Sequence, residues 1–202
     1  MEKKLVNVIE RTFNDKGQLL TLKDTRDYWE EKIYDKFLDM LIEKTKKLKV
    51  GDPADPATDI GPLISARQKK TVLDYINIGK KEALLVAGGQ AVTGVKGYFV
   101  EPTIFADVKN SSRIAREEIF GPVLCVIKVK DEAEALKVAN DTNYGLAAMI
   151  WTKDLNKASV LARQLRAGTI WINTFGGFYN EAPFGGYKQS GIGTEKAFDS
   201  LR

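Results

Sequence analysis

The sequence has 202 residues, 44% of them hydrophobic and 29% charged, with 31 Lys and Arg against 27 Asp and Glu for a net charge of +4. That balance excludes a disordered, collagen-like or low-complexity chain, and so mild a positive excess calls for no nucleic-acid partner. There is no histidine and one cysteine, Cys125, which excludes Ser-His and Cys-His nucleophile pairs, histidine metal sites, an intrachain disulfide and any zinc site built on several thiolates.

In chain order, Glu2–Phe13 places Leu5, Val8, Ile9 and Phe13 at helical spacing and lacks the apolar core of a signal peptide. Nowhere do about 18 apolar residues run together, so no membrane partner is expected, and the lone cysteine fits a cytoplasmic protein. After an irregular stretch around Gly17, the pattern predicts an amphipathic helix from about Glu30 to Leu48, with Ile33, Phe37, Met40, Leu41 and Leu48 as its apolar stripe. Lys44, Lys46, Lys47 and Lys49 crowd its last turn, where cations complement the helix dipole, so this basic run reads as a solvated helix end. Gly51–Pro56 is a loop by its turn chemistry, and Asp52, Asp55 and Asp59 lack calcium-loop spacing. No metal is expected. A second helix is predicted from about Ser65 to Glu82, basic on one side.

From there the chain alternates. Ala83–Ala87, Tyr98–Ile104, Val123–Val129, Ala147–Trp151 and Thr169–Ile172 are short, apolar and rich in β-formers, and Asp131–Asn140 and Asp154–Arg166 read as helices between the later ones. Asp154 is placed to cap the second. Buried strands alternating with helices predict an α/β fold, an open, twisted, mostly parallel sheet covered by helices, with residues 1–202 forming one domain.

Phosphate cradles of the G-x-G-x-x-G and G-x-x-x-x-G-K-[ST] types are absent from the sequence. The segment from Gly176-Gly177 through Phe184-Gly185-Gly186-Tyr187-Lys188-Gln189-Ser190-Gly191-Ile192-Gly193 follows the last predicted strand, where ligand loops of open parallel sheets sit. Its glycines allow close backbone approach to a ligand, or simply tight turns. Glu117-Glu118 precedes the strand at Val123, and a carboxylate there either binds a ribose or substrate hydroxyl or faces water. Cys125 lies between Leu124 and Val126 in mid-strand, a setting in which a thiol is inert rather than nucleophilic.

Several of these stretches are familiar together. Glu118-Ile119-Phe120-Gly121-Pro122-Val123, Asn143-Tyr144-Gly145-Leu146, Ala167-Gly168-Thr169-Ile170-Trp171-Ile172-Asn173 and Pro183-Phe184-Gly185-Gly186-Tyr187-Lys188-Gln189-Ser190-Gly191 occur in an order and at spacings that resemble the NAD(P)-dependent aldehyde dehydrogenase superfamily. Gly51-Asp52-Pro53, Asp59-Ile60-Gly61-Pro62-Leu63-Ile64 and Glu101-Pro102-Thr103 match as well, so the resemblance covers essentially Asp15 to Glu195. It implies oxidation of an aldehyde to a carboxylate with NAD or NADP, by enzymes that join a Rossmann-like cofactor domain, a catalytic domain and a small oligomerisation extension. This chain looks like the catalytic domain with little else. Carried over by position, Glu118 would hydrogen-bond the nicotinamide-side ribose, Phe120 and Leu146 would lie near the nicotinamide, and Phe178 and Phe184 would line the aldehyde tunnel.

The pattern breaks at the nucleophile. The family's Phe-x-x-x-Gly-Gln-x-Cys stretch is matched by Phe13-Asn14-Asp15-Lys16-Gly17-Gln18-Leu19-Leu20, with Leu20 standing for cysteine. Leucine has no lone pair to attack a carbonyl, so no catalytic residue is assigned. Thr21–Trp29 is also more charged than the buried strand expected there. By the resemblance, the general-base glutamate, the oxyanion-hole asparagine and the pyrophosphate turn fall before Met1, and the terminal pairing strand falls after Arg202. The expectation is a truncated member of the superfamily, inactive alone and binding NAD(P)+ no tighter than about millimolar. The alternatives are one half of a split enzyme, completed by a chain supplying the cofactor domain, and a non-catalytic binding or assembly module. Self-association through exposed apolar surface is expected in any of these.

Overall fold

A computed structural model describes residues 26–198, with side chains from residue 33 onward. The helix expected at Glu2–Phe13 and the Leu20 position lie outside the described residues. The chain divides into two compact units, one running to Asp131 and the other from Glu132.

The first unit is built on a four-stranded sheet in the order β1-β4-β3-β2, with β1 at Arg26–Glu30, β2 at Leu84–Ala87, β3 at Thr103–Ala106 and β4 at Val123–Val129. β4 is central. It pairs in parallel with β1 (Arg26 opposite Cys125) and with β3 (Ile104 opposite Leu124), and every residue of it except Lys128 is buried. Such a strand needs cover on both faces, and two helices supply it. Because side chains alternate along a strand, Ile104, Leu124 and Val126 meet α1 (Glu31–Lys46), forming a core with its Tyr34, Phe37 and Leu41. Phe105 and Cys125 belong to the opposite set. Phe105 packs under Gly79 of α2 (Ala66–Glu82), where a Cβ would fall 2.5 Å from the ring, so α2 sits on β3 more closely than any other residue there would allow. Cys125 is 2% exposed and donates its thiol to the Ile114 carbonyl, at 3.4 Å, in the short helix α3 (Arg113–Arg116).

The second unit holds a two-stranded parallel sheet, β5 (Ala147–Ile150) beside β6 (Thr169–Ile172), with Ala147 opposite Thr169. Helix α5 (Leu155–Gln164) crosses between them, started by Asp154, whose carboxylate accepts from the amides of Asn156 and Lys157 at 3.0 and 3.1 Å. Helix α4 (Glu132–Asn140) precedes β5, and its terminal Asn140 ties the end of α5, donating to the Gln164 carbonyl at 2.9 Å and accepting from the Arg166 amide at 2.8 Å.

Three of the four strand pairings among the described residues are parallel, in keeping with the expected α/β class. The differences have local causes. The helix expected from Glu30 starts one residue later because Arg26–Glu30 continues as strand, and among the described residues β1 lies at the edge of this sheet. The strand expected over Tyr98–Ile104 begins only at Thr103. Phe99 and Val100 are buried, but Val100 makes a lone bridge to Ala91, and Pro102 has no amide to donate. β2 runs antiparallel to β3, since residues 88–102 return without the helix that a parallel crossover requires.

Candidate functional site

In the first unit, Glu118 and Phe120 sit on the turn that enters β4. Ile119 between them is 7% exposed and anchors the turn, while Glu118 and Phe120 face solvent, Phe120 at 49% exposure. Phe120 has φ 55°, a left-handed dihedral that an L-residue adopts only under constraint. The constraint is visible. Gln68, in the first turn of α2, donates through Nε2 to the carbonyls of Ile119 and Phe120 at 3.1 and 3.0 Å, and its own amide donates to the capping Ser65 Oγ at 3.1 Å. Gly121 completes the clamp, since a Cβ there would fall 2.5 Å from Val72.

The two neighbouring carboxylates differ in surroundings. Glu117 Oε2 accepts from Tyr75 Oη at 2.6 Å and from Arg113 Nε at 2.7 Å. Those bonds, Tyr75's first, hold the Glu117 carboxyl below the usual carboxylate range, and the same contact raises the Tyr75 phenol. Glu117 therefore fastens α3 to α2, and Glu118 and the Phe120 ring share the clamped turn, both exposed. A carboxylate acceptor and an exposed aromatic ring held on one rigid turn fit the ribose hydroxyls, which donate, and the flat heteroaromatic ring of a nicotinamide nucleotide.

In the second unit, four rings form a row. Trp171 of β6 meets Phe175 at 5.2 Å between centroids and Phe178 at 5.4 Å, and Phe178 meets Phe184 at 5.1 Å, all edge to face. Trp171 is 8% exposed and its Nε1 donates to the Gly177 carbonyl at 3.0 Å, whereas Phe178 is 50% exposed. The predicted tunnel residues Phe178 and Phe184 are thus in contact, and the ring open to solvent, Phe178, sits within the row.

The glycine-dense segment owes much of its composition to packing. A Cβ on Gly168 would fall 1.7 Å from the Gly185 carbonyl oxygen, so two backbones cross there in contact. The segment is stitched to the turn before β5: Tyr187 N donates to Gly145 O at 2.9 Å, Gln189 N to Asn143 O at 2.8 Å, Gly145 N to Ser190 Oγ at 2.8 Å, and Lys188 Nζ to the carbonyls of Asn140 and Thr142 at 2.9 and 3.1 Å. Leu146 is fixed between them, its carbonyl accepting from the Thr169 amide at 3.2 Å. Glu118 and Phe120 therefore share one turn of the first unit, and Leu146, Phe178 and Phe184 belong to the second.

Among the described residues, no group of three or more His, Cys, Asp or Glu is arranged to hold a metal ion, and no helix is long and apolar enough to cross a membrane. Sequence reasoning passed over Gln68, Tyr75, Trp171, Phe175 and Lys196, whose ammonium lies 5.1 Å from the Phe178 centroid. Gln68 lies 51 residues from the turn it clamps, and sequence patterning carries no signal at that separation. The aromatic run Trp171…Phe175…Phe178…Phe184 was a usable signal for the row.

The family model described as the aldehyde dehydrogenase family matches residues 1–202. A betaine aldehyde dehydrogenase of Brucella melitensis biotype 2 is 46% identical over 193 residues, covering 94% of this chain and 39% of that protein, and one of Brucella ovis matches to the same extent. Among solved structures, an indole-3-acetaldehyde dehydrogenase variant of P. syringae in complex with NAD+ and IAA superposes with a TM-score of 0.86 at 45% identity, over 98% of this chain and 40% of that one. An NAD+ complex of a Bacillus cereus aldehyde dehydrogenase gives 0.88 at 39% identity, over 99% and 40%. The chain spans 39% of the length of the curated relatives it matches.

Proposed function

Since the chain belongs to the aldehyde dehydrogenase family, we propose that its fold serves NAD(P)-dependent oxidation of an aldehyde to a carboxylate, and that this 202-residue chain by itself is a pseudoenzyme that binds without turning over. When bound, the nicotinamide cofactor supplies the hydride acceptor. Glu118 would accept hydrogen bonds from its ribose hydroxyls and Phe120 would pack beside its ring, while Phe178 and Phe184 would present apolar surface to the aldehyde. One carboxylate and one exposed ring on a turn make few contacts, which supports affinity for NAD(P)+ no tighter than about millimolar. The names of the similar proteins, betaine aldehyde and indole-3-acetaldehyde dehydrogenases, frame the candidate substrates as small aldehydes.

What supports the loss of turnover is Leu20, which stands where the resemblance of residues 13–20 to the family's Phe-x-x-x-Gly-Gln-x-Cys stretch sets the nucleophile. Without a thiolate there is no covalent intermediate from which a hydride can leave, and losing such a group costs several orders of magnitude. The chain's role is then non-catalytic, in the cytoplasm, with self-association as its mode of assembly. The test is NAD(P)H formation by the purified chain with both cofactors and a panel of aliphatic, aromatic and amino aldehydes. No absorbance change above a mock preparation is expected. Turnover would overturn the reading and mean that another group has taken the nucleophile's part.

A further inference from the structure

Phe178 lies within the aromatic row, between Trp171 and Phe184, yet is half exposed, and the ammonium of Lys196 stands over its ring at 5.1 Å from the centroid. The backbone builds this placement. Phe184 and Glu195 exchange both amide hydrogen bonds, at 2.8 and 2.7 Å, and the Ala197 amide donates to the Asn180 carbonyl at 2.9 Å. Lys196 lies between these two anchors. It and Ala197 both take left-handed dihedrals, φ 64° and 54°, a conformation that side-chain-bearing residues keep only where their surroundings impose it. Among the described residues no carboxylate lies within ion-pair distance of the Lys196 ammonium, so the ring is its partner.

We propose that Lys196 sets the ligand preference of the aromatic wall, turning quaternary ammonium groups away from Phe178 and favouring aromatic ligands that carry a carboxylate. The inference rests on the reading of Phe178 and Phe184 as the tunnel wall. An aromatic face attracts one cation, and here the chain's own lysine supplies it. A second cation arriving at the same ring meets a like charge a few ångströms away. An aromatic acid can still stack edge to face on the row while its carboxylate is drawn to the ammonium. The site is open to water and salt, so discrimination of severalfold, rather than of orders of magnitude, is the scale such a charge can impose.

The experiment is an NMR titration of the isotope-labelled chain with choline and, separately, with indole-3-acetate, following the Trp171 indole N–H and the Phe178 ring signals. It is repeated on Lys196→Arg, Lys196→Gln and Lys196→Glu. The native chain should bind indole-3-acetate at least about fivefold more tightly than choline, the equivalent of roughly 1 kcal/mol. Lys196→Arg should keep that ratio, Lys196→Gln should reduce it, and Lys196→Glu should reverse it. Probes that bind with the same ratio in all four proteins would overturn the role of Lys196 and leave the wall standing. Signals that move for neither probe in any of the four would overturn the wall and the inference together.

Discussion

Tyr34 is 1% exposed at the centre of the first unit's core, its hydroxyl oxygen accepts from the Asp107 amide at 2.8 Å, and the Lys128 ammonium lies 4.4 Å above its ring. Burial disfavours the phenolate and pushes the Tyr34 pKa up to about 12. The unfolded chain would lose that proton near the ordinary tyrosine value of 10.0, so above it the folded state holds more protons than the unfolded one. The stabilisation from Tyr34 is therefore complete below about pH 10 and is lost as the pH climbs towards about 12. Urea midpoints should fall across that alkaline window, and Tyr34→Phe should fall less steeply, the remaining slope belonging to groups such as Tyr75, whose phenol is also raised. Equal slopes for the two proteins would contradict this account. Single residues also decide the site. Gln68 alone donates to two consecutive carbonyls of the turn that carries Glu118 and Phe120, and without it the left-handed Phe120 loses the bonds that hold it.

Each long helix shows a separate division of labour between its ends and its faces. In α1 the Tyr34, Phe37 and Leu41 stripe packs on the sheet and the lysines gather at the C-terminal turn, where the dipole favours them. α2 is capped by Ser65 and carries both Gln68 and Tyr75, so the helix that covers one face of the sheet also holds the turn that carries Glu118 and Phe120. In α5 little is buried beyond Ala158, so the start signal matters more than the packing. Asp154→Ala removes the acceptor for two first-turn amides and should cost about 1 kcal/mol, while Asp154→Asn, itself a good cap, should cost a few tenths. Thermal melts of the three proteins measure this, and identical midpoints for Asp154→Ala and the native chain would show that the cap contributes nothing here.

Across the whole molecule, large apolar side chains remain in water: Ile64 at 88%, Leu155 at 74%, Tyr179 at 72% and Phe198 at 85% exposure. Isolated exposed hydrophobes are ordinary, but this many on a chain with a net charge of only +4 leave little electrostatic repulsion to keep copies apart. The 202-residue chain should therefore associate with itself. Light scattering over a tenfold range of concentration should show an apparent mass that rises with concentration and falls in mild urea, whereas one constant monomer mass would refute this.

The sequence alone determined the α/β class, the bounds of β4 and β6, the cap Asp154 and the family. All of these are written in local periodicity, turn chemistry or runs of adjacent residues, which need no knowledge of what folds against what. The tertiary structure decided the rest. That β2 runs antiparallel, that Glu117 is held by Tyr75, that Gln68 clamps the turn carrying Glu118 and Phe120, and that Lys196 stands over Phe178 are outcomes of contacts between residues apart in sequence. The glycines of 185–193 show the divide most clearly: their composition equally fitted a ligand loop or tight turns, and only the approach of Gly168 to the Gly185 carbonyl showed backbone packed on backbone. Such contacts are fixed by how the chain closes in three dimensions, and a one-dimensional pattern has no term for distance between its distant parts.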